Sequence, residues 1–141
     1  MPTHCKKETG RLLGIDFGLK RVGIALSDEE QKIAFPKTVY PNDKKLVNQI
    51  AKFCAENSMI AIILGESKNF KGEDNPIMKY ILKFKTEIEN ATSLPVYMEP
   101  EFMSSSEAKK MRVEDDSGEM IDASAAAVIL QSYLGKKRNG E

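Results

Sequence analysis

Three carboxylates stand where apolar residues would be ordinary. Asp16 lies inside Leu12-Leu13-Gly14-Ile15-Asp16-Phe17, an apolar run that meets a glycine turn. A charge there is costly unless something satisfies it. Its bland account is an aspartate that caps the turn with its own side chain. Asp122 shares a helical stripe with Ala126, Ile129 and Tyr133, so an acid occupies a face otherwise made of core residues. Its bland account is an acid in a first helical turn, complementing the dipole. Glu101 directly follows the run Pro95 to Met98, at the carboxyl end of a predicted strand. A solvated loop glutamate would look the same, and Glu99 is a nearby rival for any role given to Glu101. Together the three supply one carboxylate from the first strand, one after a later strand and one from the last helix. Such an oxygen-only set suits hard divalent ions, Mg²⁺ or Mn²⁺. Two such ions ~4 Å apart activate a water and steady the leaving oxygen in phosphodiester cleavage. No Ser-His-Asp arrangement competes, because the single histidine, His4, sits in the polar N-terminal stretch.

The elements that must position these residues follow from periodicity. Arg11 to Phe17 and Arg21 to Ser27 read as strands joined by the turn Gly18-Leu19-Lys20, and Lys37 to Tyr40 as a short third. Three strands in a row suggest an antiparallel meander. From Asp43 to Asn57 the apolar positions Leu46, Val47, Ile50, Phe53 and Cys54 have helical spacing, with Asn42 or Asp43 as cap. Ile60 to Leu64 is a continuous apolar run, as in strands buried on both faces. The polar stretch Gly65 to Gly72 predicts a loop. Pro76 suits the first turn of a second helix with the stripe Ile77, Ile81, Phe84 and Ile88. Leu94 to Met98 is a second buried strand. Ser104 caps a short helix to about Val113, and Asp115 to Gly118 turns into a last helix over Met120–Leu134, stopped by Gly135.

This order, β-β-β-α-β-α-β-α-α, predicts an α/β domain. Right-handed crossovers between the later strands give a parallel half-sheet, which joins the meander in one five-stranded mixed sheet flanked by helices. Ligands of such sheets bind beyond the carboxyl ends of the parallel strands. The small residues Ala123, Ala125, Ala126 and Ala127 let the last helix approach the sheet and carry Asp122 towards those ends. Residues 1–10 read as a flexible tail, 11–135 as one domain and 136–141 as a basic tail.

Composition narrows the class. The 141 residues suit one core, and 21 Lys plus Arg balance 21 Asp plus Glu. Any affinity for nucleic acid must then be local rather than global. Cys5 and Cys54 lie far apart without a C-x-x-C spacing, which argues against a disulfide framework or a zinc site. No apolar run resembles a signal peptide or a membrane span, so the expectation is a soluble, cytoplasmic chain with no membrane partner.

The run from Gly14 to Asp28, Gly-Ile-Asp-Phe-Gly-Leu-Lys-Arg-Val-Gly-Ile-Ala-Leu-Ser-Asp, resembles the opening motif of the YqgF family, bacterial proteins also called RuvX or Holliday-junction-resolvase-like. Ile62-Ile63-Leu64-Gly65 with Asn69 and Gly72 is similar to the family's strand and glycine loop. Ile121-Asp122-Ala123, Ala125-Ala126 and Ile129 to Leu134 are similar to its closing helix. The resemblance covers Leu12 to Leu134. It implies a ribonuclease-H-like fold and a divalent-metal-dependent nuclease, a hydrolase of ester bonds, with Asp16, Glu101 and Asp122 as catalytic residues and metal ligands. It also implies two substrates: precursor 16S rRNA trimmed at its 5′ end during ribosome biogenesis, which we favour, and the DNA four-way junction of recombination and repair. One segment departs. Where the family has Asp-Glu-Arg-Leu-Thr-Thr, this chain has Pro100-Glu101-Phe102-Met103-Ser104-Ser105. The glutamate stays, but the arginine, a bidentate phosphate grip, is gone.

Lys20, Arg21, Lys68 and Lys71 are the candidate phosphate contacts, against the plainer account of solvated surface charges. The altered segment favours a second reading, a catalytically weakened RNA-binding module. A third is a nucleotide-dependent phosphotransferase, because Gly14-Ile15-Asp16-Phe17-Gly18 also resembles the first phosphate motif of the actin and sugar-kinase group. Those enzymes close two such domains around ATP, and this length supplies one. A junction resolvase is expected to dimerise about a symmetric patch. The sequence shows no such patch and leaves monomer or homodimer open.

Overall fold

The computed structural model describes residues 10–68, 71–102 and 118–138, without the side chains of 101, 102, 118–122 and 138. The expected short helix from Ser104 to Val113, and nearly all of the expected N-terminal tail, lie outside the described residues.

Strands β1 (Arg11–Phe17) and β2 (Arg21–Ser27) span the two apolar runs that open the chain. Both are buried from their second residue onward, so burial and sequence signal coincide. Strand β3 (Ala34–Pro41) is longer than the expected Lys37 to Tyr40. It is an outer strand, largely exposed, and its hydrogen bonds to β2 run beyond anything a hydrophobic pattern marks. Pro36 and Pro41 interrupt its donor row, a usual means of blunting an edge.

Helix α1 (Leu46–Glu56) buries Leu46, Ile50, Phe53 and Cys54, as its spacing requires. Asp43 does not cap it directly. Its Oδ1 accepts the Lys45 N–H at 2.9 Å and its carbonyl accepts the Leu46 N–H, forming the turn that leads in. Strand β4 (Met59–Lys68) corrects the expected loop from Gly65: it runs four residues further. Helix α2 (Met78–Thr92) buries Ile81, Phe84 and Ile88, and ends at Ser93 in the left-handed conformation before Pro95. Strand β5 (Val96–Phe102) likewise outruns the expected end at Met98, which puts Glu101 inside the strand rather than after it. Helix α3 (Gly118–Arg138) begins before Met120 and passes through Gly135 rather than stopping there. An interior glycine costs a helix only about 1 kcal/mol. Lys136, expected in a tail, is therefore helical.

The sheet order is β3-β2-β1-β4-β5. The first two pairings are antiparallel, and β1 with β4 and β4 with β5 are parallel. Alternation splits the core into two. Leu13, Ile15, Phe17, Ile62 and Leu64 pack with α1 and α2. Leu12, Ala25, Ala61 and Ile63 pack with Ala126, Ile129, Leu130 and Leu134 of α3 on the other face. No helix among the described residues is long and apolar enough to cross a membrane.

Cys54 belongs to the first of these cores, and burial pushes its thiol up to about 11. The folded state thus resists forming the thiolate. Its contribution to stability is complete below the ordinary thiol value and disappears as pH rises through about 11. Native protein at pH 8 is expected to leave Cys54 unalkylated, and urea to expose it. Peptide mapping after iodoacetamide reads this directly, and labelling of native Cys54 would contradict its placement.

Candidate active site

Asp16 is the penultimate residue of the central strand and only 5% exposed. It pairs with Gly23 of β2. On its other side Ile15 pairs with Leu64 of β4. One residue on, Gly65 pairs with Glu99 of β5, and two further on Ser67 pairs with Glu101. Because β1, β4 and β5 are parallel, Asp16, Gly65–Ser67 and Glu99–Glu101 lie towards one end of the sheet.

Alternation assigns Asp16 to the α3 face, with Leu12 and Gly14. The helix lies against that face because glycine admits it. A Cβ at Gly14 would sit 2.8 Å from Leu130 Cβ and 3.0 Å from the Ala126 carbonyl oxygen. A Cβ at Gly65 would meet Ile129 Cδ1 at 2.6 Å. Two tracks give the helix its direction. Gln131 reaches the start of β1: its Oε1 accepts the Ala34 N–H at 2.9 Å, Ala34 pairs with Ser27, and Ser27 Oγ accepts the Leu12 N–H. Earlier in the helix, Ala126 and Leu130 cover Gly14. On the far side Ile129 covers Gly65, while Tyr133, one turn later, stacks on Tyr97, two residues before Gly65's partner Glu99. Helix α3 therefore runs against the parallel strands, its N-terminal end directed to their carboxyl ends.

The candidate phosphate contacts surround the same end. Lys20 is exposed and Arg21 half-buried at the β1–β2 turn. Asn42 steadies that turn, its Nδ2 donating to the Gly18 carbonyl at 2.7 Å and its N–H to the Lys20 carbonyl at 2.9 Å. Lys68 ends β4 and pairs with Asp74 at 2.6 Å; that hydrogen bond raises the lysine's pKa and compensates part of its charge. Lys71 is exposed. Asn75 is tied to β4: its N–H donates to the Ser67 carbonyl and its Nδ2 to Ser67 Oγ at 2.9 Å.

The family model for RuvX, described as a Holliday junction resolvase, matches residues 10–136. The chain belongs to the RuvX family. A relative from Chloroflexus aggregans is 33% identical, over 91% of this chain and 95% of its own, and carries the name "Putative pre-16S rRNA nuclease". One of the same name from Thermoanaerobacter pseudethanolicus is 31% identical, over 92% of this chain and 99% of its own. Among solved structures, Thermus thermophilus RuvC superposes with a TM-score of 0.58 at 13% identity, covering 92% of this chain and 96% of that one. RuvC in complex with a Holliday junction substrate gives 0.55 at the same identity and coverage. At that identity the likeness is one of fold.

For a RuvX chain the donor chemistry here fits a hard cation. Asp16 is a buried carboxylate, positions 101 and 122 carry acids, and the one cysteine among the described residues, Cys54, lies in the core on the other face of the sheet. Among the described residues no three His, Cys, Asp or Glu side chains gather to hold a metal, and the side chains of Glu101 and Asp122 lie outside that set. The rival Glu99 is otherwise engaged. Buried on β5, it accepts the Ser132 hydroxyl at 2.8 Å and an ion pair from Lys136 at 2.8 Å. This tie between β5 and α3 was not read from the sequence. Its one signal was an acid at an inward-facing strand position. Asn42, expected as a possible helix cap, holds the β1–β2 turn instead, while Ser67 and Asn75 were missed, because nothing local distinguishes their polar side chains from loop residues.

Proposed function

We propose that this RuvX protein is a divalent-metal-dependent nuclease acting on phosphodiester bonds, with the 5′ end of precursor 16S rRNA as substrate, in ribosome biogenesis in the cytoplasm. The observation that carries this reading is Asp16, a carboxylate buried at the end of the central strand beneath an antiparallel closing helix. The helix direction supports Asp122 as its companion. From Ala126, over Gly14, four residues at ~1.5 Å each cover ~6 Å. Two strand residues from Gly14 to Asp16 cover about the same. Position 101 supports the third role: it has the strand parity of Tyr97 and Glu99, which meet α3.

Asp16, Glu101 and Asp122 would hold the cation, which when bound supplies water activation and charge stabilisation at the phosphate. The chain's own residues do the rest. Lys20, Arg21 and Lys71 hold flanking phosphates, and Lys68 adds a share of what Asp74 leaves it. These contacts are salt-dependent. Water adds to phosphorus, the P–O bond to the leaving oxygen breaks, and a water proton ends on that oxygen. The names of the relatives favour RNA as substrate.

The test is cleavage of labelled RNA carrying the 16S 5′ precursor segment, beside a DNA four-way junction, with Mn²⁺ and with EDTA. The expected result is cutting of the RNA in Mn²⁺ alone. Cutting of the junction alone would make this a resolvase. Binding without cutting of either would make it the weakened module that the altered segment around Glu101 suggests.

A further inference from the structure

We propose that Tyr97 and Tyr133 form a stacking platform for the bases of a single strand that leads away from the active site, an inference that rests on the nuclease reading. The two rings stack with centroids 6.2 Å apart and planes 15° from parallel. Tyr97 stands on β5, the edge strand on the parallel side of the sheet, and is 47% exposed. A second aromatic plane behind it holds the ring in place. Tyr97 lies four residues before Glu101 on the same strand, about 13 Å at ~3.3 Å per residue. An extended strand of a few nucleotides spans that distance.

The surroundings select a base over a protein. The tyrosine pair is bordered along α3 by Ser132 and Lys136, both exposed and polar, a patch too narrow and too wet for an apolar interface. Lys136, one turn after Tyr133, already gives its ammonium to Glu99. With that ammonium engaged, we assign the affinity here to ring contact rather than to phosphate. Every base has a π-face, and such stacking tolerates sequence.

The chain has no Trp, so quenching of tyrosine fluorescence reports binding. The full chain is titrated in EDTA, where no cleavage occurs, with a short single-stranded RNA, the same sequence as DNA, and a blunt RNA duplex. Tyr97→Ala is expected to weaken both single strands about five-fold or more. Tyr97→Phe is expected to bind as wild type, and duplex affinity to stay unchanged. The gap between wild type and Tyr97→Ala should persist from about 50 to 200 mM salt, where phosphate contacts fade. At saturating substrate, cleavage by Tyr97→Ala should keep its maximal rate with a raised KM. Equal single-strand affinities for wild type and Tyr97→Ala would overturn the platform. So would a change in sedimentation on Tyr97→Ala, which would put a second copy of the chain on that face. An unaltered cleavage rate in Asp16→Asn would remove the nuclease assignment of this site, while the binding results would still decide the platform.

Discussion

Asp16→Asn is expected to fold as wild type and to lose metal-dependent cleavage by on the order of a hundred-fold or more. Loss of an outer-shell partner of a bound metal already costs roughly 10–100-fold, and a direct ligand should cost more. Asparagine nearly preserves the shape of aspartate but removes the charge that attracts a cation. Asparagine keeps the side chain's size and one acceptor oxygen, so the melting temperature should change little at this buried position. The measurement is initial cleavage rate against Mn²⁺ concentration, with a thermal melt of the same sample. A folded variant with full activity would take Asp16 out of the mechanism. An unfolded variant would show instead that the carboxylate supports the strand end.

Gly14→Ala should be among the most damaging single methyl groups this chain can receive. Its Cβ would fall 2.8 Å from Leu130 Cβ and 3.0 Å from the Ala126 carbonyl oxygen. Both belong to the rigid body of α3 rather than to a side-chain tip, so the helix itself must lift. Overpacking of this kind costs about 1–3 kcal/mol. In a domain of this size that lowers the melting temperature by roughly 3–10 °C. Cleavage should fall as well, because on the proposed reading α3 carries Asp122 to Asp16. Gly65→Ala is the control. Its Cβ comes closer still, 2.6 Å, but to Ile129 Cδ1, which can turn aside. It should cost less than about 1 kcal/mol. If both variants melt alike, the close approach at Gly14 does not limit where the helix sits.

The parts of the fold legible in the sequence are those in which burial alone decides structure. β1 and β2 are covered on both sides, and α1 and α2 each present one apolar stripe, so pattern and element coincide. The pattern failed where hydrogen bonds continue without burial. β3 is a solvated edge. The last residues of β4 and β5 pair with each other past the strongly apolar part of the sheet, so Glu66, Ser67 and Lys68 looked like loop. Asp16 was legible because an acid inside an apolar strand has few structural excuses. The Glu99 tie to Ser132 and Lys136 was not, because its partners lie far along the chain and each looks like a surface residue. Glu101 rests on its place in the departing segment Pro100–Ser105, and Asp122 on the closing motif of the family resemblance, more than on local pattern, and their side chains are not among those described.

The contact between Gly14 and Leu130 joins the first strand to the last helix, and this has a consequence for the order in which the protein is made. A ribosome releases the meander and the parallel strands before α3. Until that helix emerges, the face bearing Leu12, Ala25, Ala61 and Ile63 is open to water and to other nascent chains. Asp16 meanwhile sits on an uncovered sheet. On the proposed reading, no copy whose synthesis has yet to pass α3 can cut RNA, and the emergence of that helix is what arms the enzyme.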